Sequence, residues 1–177
     1  NGDTYTGMNA SESFSEEDYD YAQETLRILS GLYGVLRPLD LIQPYRLEMG
    51  TKLETEYGKN LYEFWGNSLT ESLNKALDES PGEKVLINLA SNEYFKSVHA
   101  DELEFPVMTP IFLDRKDGGD YKTVSFYAKR ARGSMASWII RNRVSQCEQF
   151  KEFAENGYEF CSERSNSQSP VFIRTNS

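Results

Sequence analysis

Between Ser125 and Arg143 the chain reads SFYAKRARGSMASWIIRNR. The stretch 121–143 holds six cations, Lys122, Lys129, Arg130, Arg132, Arg141 and Arg143, and no acidic residue. Wound as a helix at about 100° per residue, Ala131, Met135, Trp138 and Ile139 share an apolar face. Arg130, Ser134, Ser137 and Arg141 run along one flank, Arg132 and Arg143 along the other, with Lys129 further round. Arginine and serine both donate to phosphate oxygens, and small hydroxyl residues between arginines allow a phosphate backbone to come close. The pattern points to a polyanion. The competing reading is a solvated helix whose arginines pair with the acidic N-terminal segment, where residues 1–26 hold seven Asp or Glu and no Lys or Arg. Exposed pairs of that kind contribute only about 0–1 kcal/mol each.

A second candidate lies at Leu86–Lys96, LINLASNEYFK. A buried strand, a polar turn and a helix start would bring Asn88, Ser91, Asn92, Glu93, Tyr94 and Lys96 to a strand's C-terminal end, a common place for sites in α/β units. These residues offer donors, an acid and a cation, enough to hold a base or a phosphate. Ordinary capping by Ser91 or Asn92 accounts for part of the same pattern. The third candidate is LSGLYGVLRPLDLIQPYRLEMG, residues 29–50. Gly31-Leu32-Tyr33-Gly34 is a tight turn, and Pro38 can open a short helix. Read as helix, Gly-flanked hairpin and helix, the segment would present backbone N–H groups to phosphate, with Arg37 and Arg46 nearby.

Other chemistry finds little support. One histidine, His99, has no neighbour at a metal-ligand spacing, so no metal site is read, and iron binding would have only carboxylates to use. The chain carries neither a nucleophile elbow nor a phosphate-binding or dinucleotide glycine pattern, so no cofactor is read. The net charge of −9 argues against indiscriminate nucleic-acid binding and for a site on one face. No apolar run approaches the roughly 20 residues of a membrane span. Cys147 and Cys161 form no disulfide framework, which fits a reducing, cytoplasmic compartment.

The elements that must position these residues follow from caps and periodicity. Ser15 caps a helix running to Ser30-Gly31, with Phe14 stapled to Tyr19. Asn60 opens another, with Leu61, Trp65, Leu69, Leu73 and Leu77 as its stripe and Pro81-Gly82 beyond its end. Val85 to Leu89 reads as a buried strand, and a brief helix follows to Val98. Val107 to Leu113 and Tyr121 to Tyr127 look like a hairpin turning at Gly118-Gly119, with Pro110 at an edge or bulge. Ala128 to Val144 is a helix, and Ser145 with Glu148 caps one ending at Asn156-Gly157. Ser162 to Ser169 is polar and expected to be mobile. Val171 to Ile173 is a last strand. The mixture lacks a regular βαβ rhythm, so the fold class expected is α+β, one domain over 1–177 with helices packed on a mixed sheet.

At these residues the chain resembles the bacterial YaaA family of peroxide stress response proteins. The resemblance rests on YTG at 5–7, SEEDYDYAQ at 15–23, LRILSGLYGVLRPLDLIQPYRLEMG at 26–50, LYEFWG at 61–66, INLASNEYFKSV at 87–98 and SFYAKRARGSMASWIIRNR at 125–143. It implies a cytoplasmic protein of the oxidative stress response that limits iron-linked damage and binds duplex or branched DNA through a basic cleft. It also implies a role in DNA repair, a fold peculiar to the family with a helix-hairpin-helix element, and a further region preceding YTG. The hairpin maps onto Gly31 and Gly34, although the two glycines stand one residue further apart than the usual G-h-G. The cleft maps onto Lys96, Lys129, Arg130, Arg132, Arg141 and Arg143. The resemblance carries over no catalytic residue. An enzyme acting on damaged DNA or a flipped base around Asn88–Lys96 is the alternative.

Overall fold

The computed structural model describes residues 2–116 and 118–176. It opens on two short helices, α1 (Asp3–Met8) and α2 (Ala10–Ser13), separated by Asn9 in the left-handed region. The Ser15 cap then forms as its side chain dictates. Ser15 Oγ accepts from the Asp18 N–H at 3.2 Å, and Asp18 Oδ2 accepts from the Ser15 N–H at 2.9 Å, closing a capping box. Phe14 meets Tyr19 edge to face at 5.4 Å. The helix so started, α3 (Glu16–Thr25), is shorter than expected.

Residues 28–30 leave the helix because they find strand partners. β1 (Ile28–Ser30) pairs antiparallel with β2 (Gly34–Leu36), matching Ile28 to Leu36 and Ser30 to Gly34. Gly34 closes the three-residue turn at φ +76°, a conformation that favours glycine. The expected short helix after Pro38 is a turn, with the Asp40 N–H donating to the Arg37 carbonyl at 3.2 Å. The Gly31–Gly34 segment is therefore a β-hairpin, and no helix-hairpin-helix is seen among the described residues.

Asn60 caps as expected, accepting from the Glu63 N–H at 3.0 Å. The helix breaks at Gly66 into α4 (Leu61–Trp65) and α5 (Ser68–Glu79). Leu61, Leu69, Leu73 and Leu77 are all buried. β3 (Leu86–Ile87) is a two-residue strand that pairs parallel with β4 (Val107–Met108), with α6 (Asn92–Phe95) between them in the chain.

The expected hairpin of 107–113 with 121–127 forms only as a single bridge between Asp114 and Lys122. Pro110 interrupts the first strand. The piece beyond it, β5 (Ile111–Lys116), pairs parallel with the last strand instead. Ser125 to Tyr127 belong to α7 (Ser125–Arg141), which starts earlier than the apolar period suggested. Beyond α7 a 3-10 turn (Cys147–Glu152) replaces the expected helix, since Gln149 Oε1 accepts from the N–H groups of both Ser145 and Gln146 at 3.0 Å. β6 (Glu159–Phe160) and β7 (Val171–Asn176) complete a mixed sheet of order β5-β7-β6. The last strand is thus central. Ser162–Ser169, expected to be mobile, is pinned: Ser165 Oγ donates to the Cys161 carbonyl at 2.7 Å and accepts from the Val171 N–H at 2.8 Å.

The main core lies between this sheet and α7. Phe112 stacks on Phe172 at 5.5 Å, Phe153 and Tyr158 close on them edge to face, and Met135 and Ala131 approach from the helix. A second cluster, Met49, Leu61 and Leu69 with Trp65 and Tyr94, holds the β1–β2 hairpin. The structure is α+β with small mixed sheets, as the sequence led one to expect.

Candidate nucleic-acid interface

Helix α7 sorts its residues by what packs on each side. Ala131, Met135 and Ile140 are buried in the core, and Trp138 and Ile139 are half-buried against it. The flank read as a phosphate track is covered by α1. Ser134 is buried, donates to the Gly7 carbonyl at 3.2 Å and accepts from Asn156 Nδ2 at 2.7 Å. Ser137 is buried too, 3.4 Å from Ser13 Oγ, and accepts from Arg141 Nε at 3.2 Å.

The six cations mapped to a cleft fall into separate groups. Arg141 pairs with Glu155 at 2.5 Å, and Arg143 pairs with Asp18 at 2.6 Å while its guanidinium lies 4.9 Å from the Tyr21 ring. The reading in which arginines meet the acidic N-terminal segment holds for Arg143. At the other end of α7, Lys129 and Arg130 are exposed, and among the described residues neither has an ion-pair partner. Arg130 stacks over Phe126 at 5.1 Å. Arg132 is half-buried on the opposite side of the helix, and its Nη1 donates to the Ala90 carbonyl at 3.4 Å. Burial pulls its guanidinium below the usual arginine value. Lys96 Nζ sits 5.3 Å from the centre of the Tyr62 ring.

The segment from Asn88 to Tyr94 is largely occupied by its own structure. Asn88 is buried, accepts from the Ala90 N–H at 3.1 Å and donates to Thr109 Oγ1 at 3.3 Å. Ser91 caps α6, whose first residue is Asn92. Glu93 Oε1 accepts from the Gly50 N–H at 2.8 Å, and the Glu93 carbonyl accepts from Tyr62 OH at 3.0 Å. Burial first, then the neighbouring Tyr45 hydroxyl, push Tyr94 above the ordinary tyrosine value, and the same two causes act on Tyr5.

The backbone donors expected at the glycine turn are used internally. Ser30 Oγ accepts from the Leu32 and Tyr33 N–H groups at 3.2 and 3.0 Å and lies 2.5 Å from Tyr45 OH. Gly31 is buried, and its carbonyl accepts from Trp65 Nε1 at 3.0 Å. Arg37 pairs with Asp40 at 3.5 Å, and Arg46 is exposed. Through Trp65 the glycine turn joins the second core cluster.

Apart from Lys122, a further group has no local signature in the sequence. At the end of β5, Arg115 stacks over Tyr121 at 4.5 Å, and Arg164 reaches the same ring at 5.2 Å. Lys116 and Lys122, their neighbours in the chain, line a cavity with Asp114. A parallel pairing with the last strand brings Arg164 there, and a local pattern cannot show that pairing. Among the described residues no three or more His, Cys, Asp or Glu are placed to hold a metal ion, and no helix is long and apolar enough to cross a membrane.

An α+β chain with a basic helix end and family motifs along most of its length defines the class, and comparison with known proteins gives the family. The family described as peroxide stress protein YaaA matches residues 1–164, so the chain belongs to that family. It is also similar to a UPF0246 protein of Aliivibrio fischeri (strain MJ11), 56% identical over 173 residues. The match takes in 98% of this chain and 66% of that relative, so the chain spans a little under two thirds of the relative's length.

Proposed function

We propose that this chain binds DNA in the peroxide stress response, holding backbone phosphates with the first half of α7. One observation carries the reading: Lys129 and Arg130 stand exposed at that end without a carboxylate partner among the described residues, whereas Glu155 and Asp18 neutralise Arg141 and Arg143 at the other. Arg132 ties the helix to the Asn88–Lys96 segment and adds a charge between the two. Phosphate contacts carry no base information, so affinity is steeply salt-dependent and sequence preference slight. Bound in the cytoplasm, the protein shields DNA from iron-linked oxidative damage.

The test is binding to plain, bubbled and branched DNA across a salt series. Lys129→Ala with Arg130→Ala lowers the slope of log affinity against log salt by up to about two. A slope unchanged by the double substitution overturns the reading.

A further inference from the structure

Outside that helix face, between the end of β5 and the first turn of α7, lies an open cavity of about 310 Å3 lined by Asp114, Lys116, Lys122, Val124, Phe126 and Tyr127. Its volume sits at the lower end of the roughly 300–1,000 Å3 of small-molecule sites. Among the described lining residues Asp114 is the acid, and it is already engaged. It is 3% exposed, pairs with Arg174 at 2.7 Å and accepts from Tyr158 OH at 2.7 Å. The cavity's free charge is therefore that of Lys116 and Lys122, for which no ion pair is seen among the described residues.

The floor is aromatic. Phe126 is 48% exposed and Tyr127 39%, an unusual exposure for two adjacent large rings. On the other face of β5, where strand alternation turns Arg115, Arg115 and Arg164 share the Tyr121 ring, and among the described residues neither has an ion-pair partner. Lys116 and Lys122, with no ion pair among the described residues, stand with the exposed Phe126 ring around one cavity and combine what nucleotide sites use: a ring face for a base and cations for its phosphate.

We propose that this cavity binds a nucleotide unit, its base stacked on Phe126 and its phosphate held by Lys116 and Lys122. The unit belongs to a DNA strand with unpaired bases or to a free nucleotide. In its strand form the inference rests on the DNA reading above, and it adds Lys116, Lys122 and Phe126, the ring over which Arg130 stacks.

The experiment compares a short single-stranded oligonucleotide, an abasic oligonucleotide of the same length and a free mononucleotide as ligands of this chain. Phe126→Ala weakens the base-bearing oligonucleotide about five-fold or more, the loss of one stacked base. It leaves the abasic one unchanged, and Phe126→Trp, which keeps a ring, restores the difference. Lys116→Ala with Lys122→Ala weakens both oligonucleotides and flattens the salt dependence. Mononucleotide binding lost on the same substitutions assigns the site to free nucleotides, and loss confined to the oligonucleotide assigns it to a strand. Equal affinity of wild type and Phe126→Ala for every base-bearing ligand overturns the proposal. If duplex binding still responds to Lys129 and Arg130 in that event, the helix reading survives alone.

Discussion

A Cβ placed on Gly133 of α7 would stand 1.8 Å from the carbonyl oxygen of Thr4 in α1, and one on Gly7 would stand 2.1 Å from the Arg130 carbonyl oxygen. The two helices cross backbone to backbone, which only residues without a side chain permit. This contact buries Ser134 and Ser137 and decides which side of α7 meets solvent. Gly133→Ala destabilises the fold by about 2–3 kcal/mol through overpacking, against the roughly 1 kcal/mol by which alanine is the better helix former. Urea unfolding measures it. An unchanged midpoint would show that α1 does not dock this closely.

Asp18 makes stability depend on acid. The Ser15 backbone N–H first, then Arg143, hold its carboxyl below its ordinary value of 3.8. A carboxylate with a depressed folded pKa contributes stability above its unfolded pKa, and the contribution is lost as pH falls through the folded pKa. Asp18→Asn is therefore less stable than wild type at pH 7, and the gap closes as pH drops below 3.8. A gap that persists at pH 2 would assign the loss to packing.

Arg141 answers differently from Arg130 in a binding assay. It is committed to Glu155 and Ser137. Arg141→Ala leaves the salt slope of DNA binding unchanged, while Arg130→Ala lowers it by about one. Equal effects would mean that the Glu155 pair opens on binding.

The pair of Asp114 with Arg174 anchors the central strand. Asp114 is buried, Arg174 donates to it through Nε and also lies 4.4 Å from the Tyr158 ring, and burial pushes the Tyr158 hydroxyl well above the ordinary tyrosine value. Arg174→Ala costs about 3 kcal/mol, since it strips a buried carboxylate of its cation. Tyr158→Phe costs about 1.5–3 kcal/mol, the range for a hydrogen bond to a charged group. Chemical denaturation of the two variants gives both values.

Burial, and then the nearby Glu83, raise the Cys147 thiol to about 11. At pH 8 roughly one such thiol in a thousand is ionised, so alkylation is slow there and quickens toward pH 11. Rapid labelling of Cys147 at pH 7 would contradict its half-buried place beside Glu83.

Local physics alone determined the caps at Ser15, Asn60 and Ser91, the apolar stripe from Leu61 to Leu77, the core face of α7 and the α+β class. Each depends on residues within a turn or two of one another. Tertiary structure decided the rest. Ile28–Ser30 continues a helical pattern and becomes a strand because Gly34–Leu36 folds back beside it. Ile111–Lys116 passes over its near neighbours for a partner sixty residues on. The charges of α7 were legible as a cluster, but which remain free depends on Asp18 and Glu155 arriving from distant parts of the chain. Likewise, Arg115, Tyr121 and Arg164 share a surface only because β7 pairs beside β5. Side-chain type and spacing set what a segment can do, and long-range pairing sets which of its groups are left to do it.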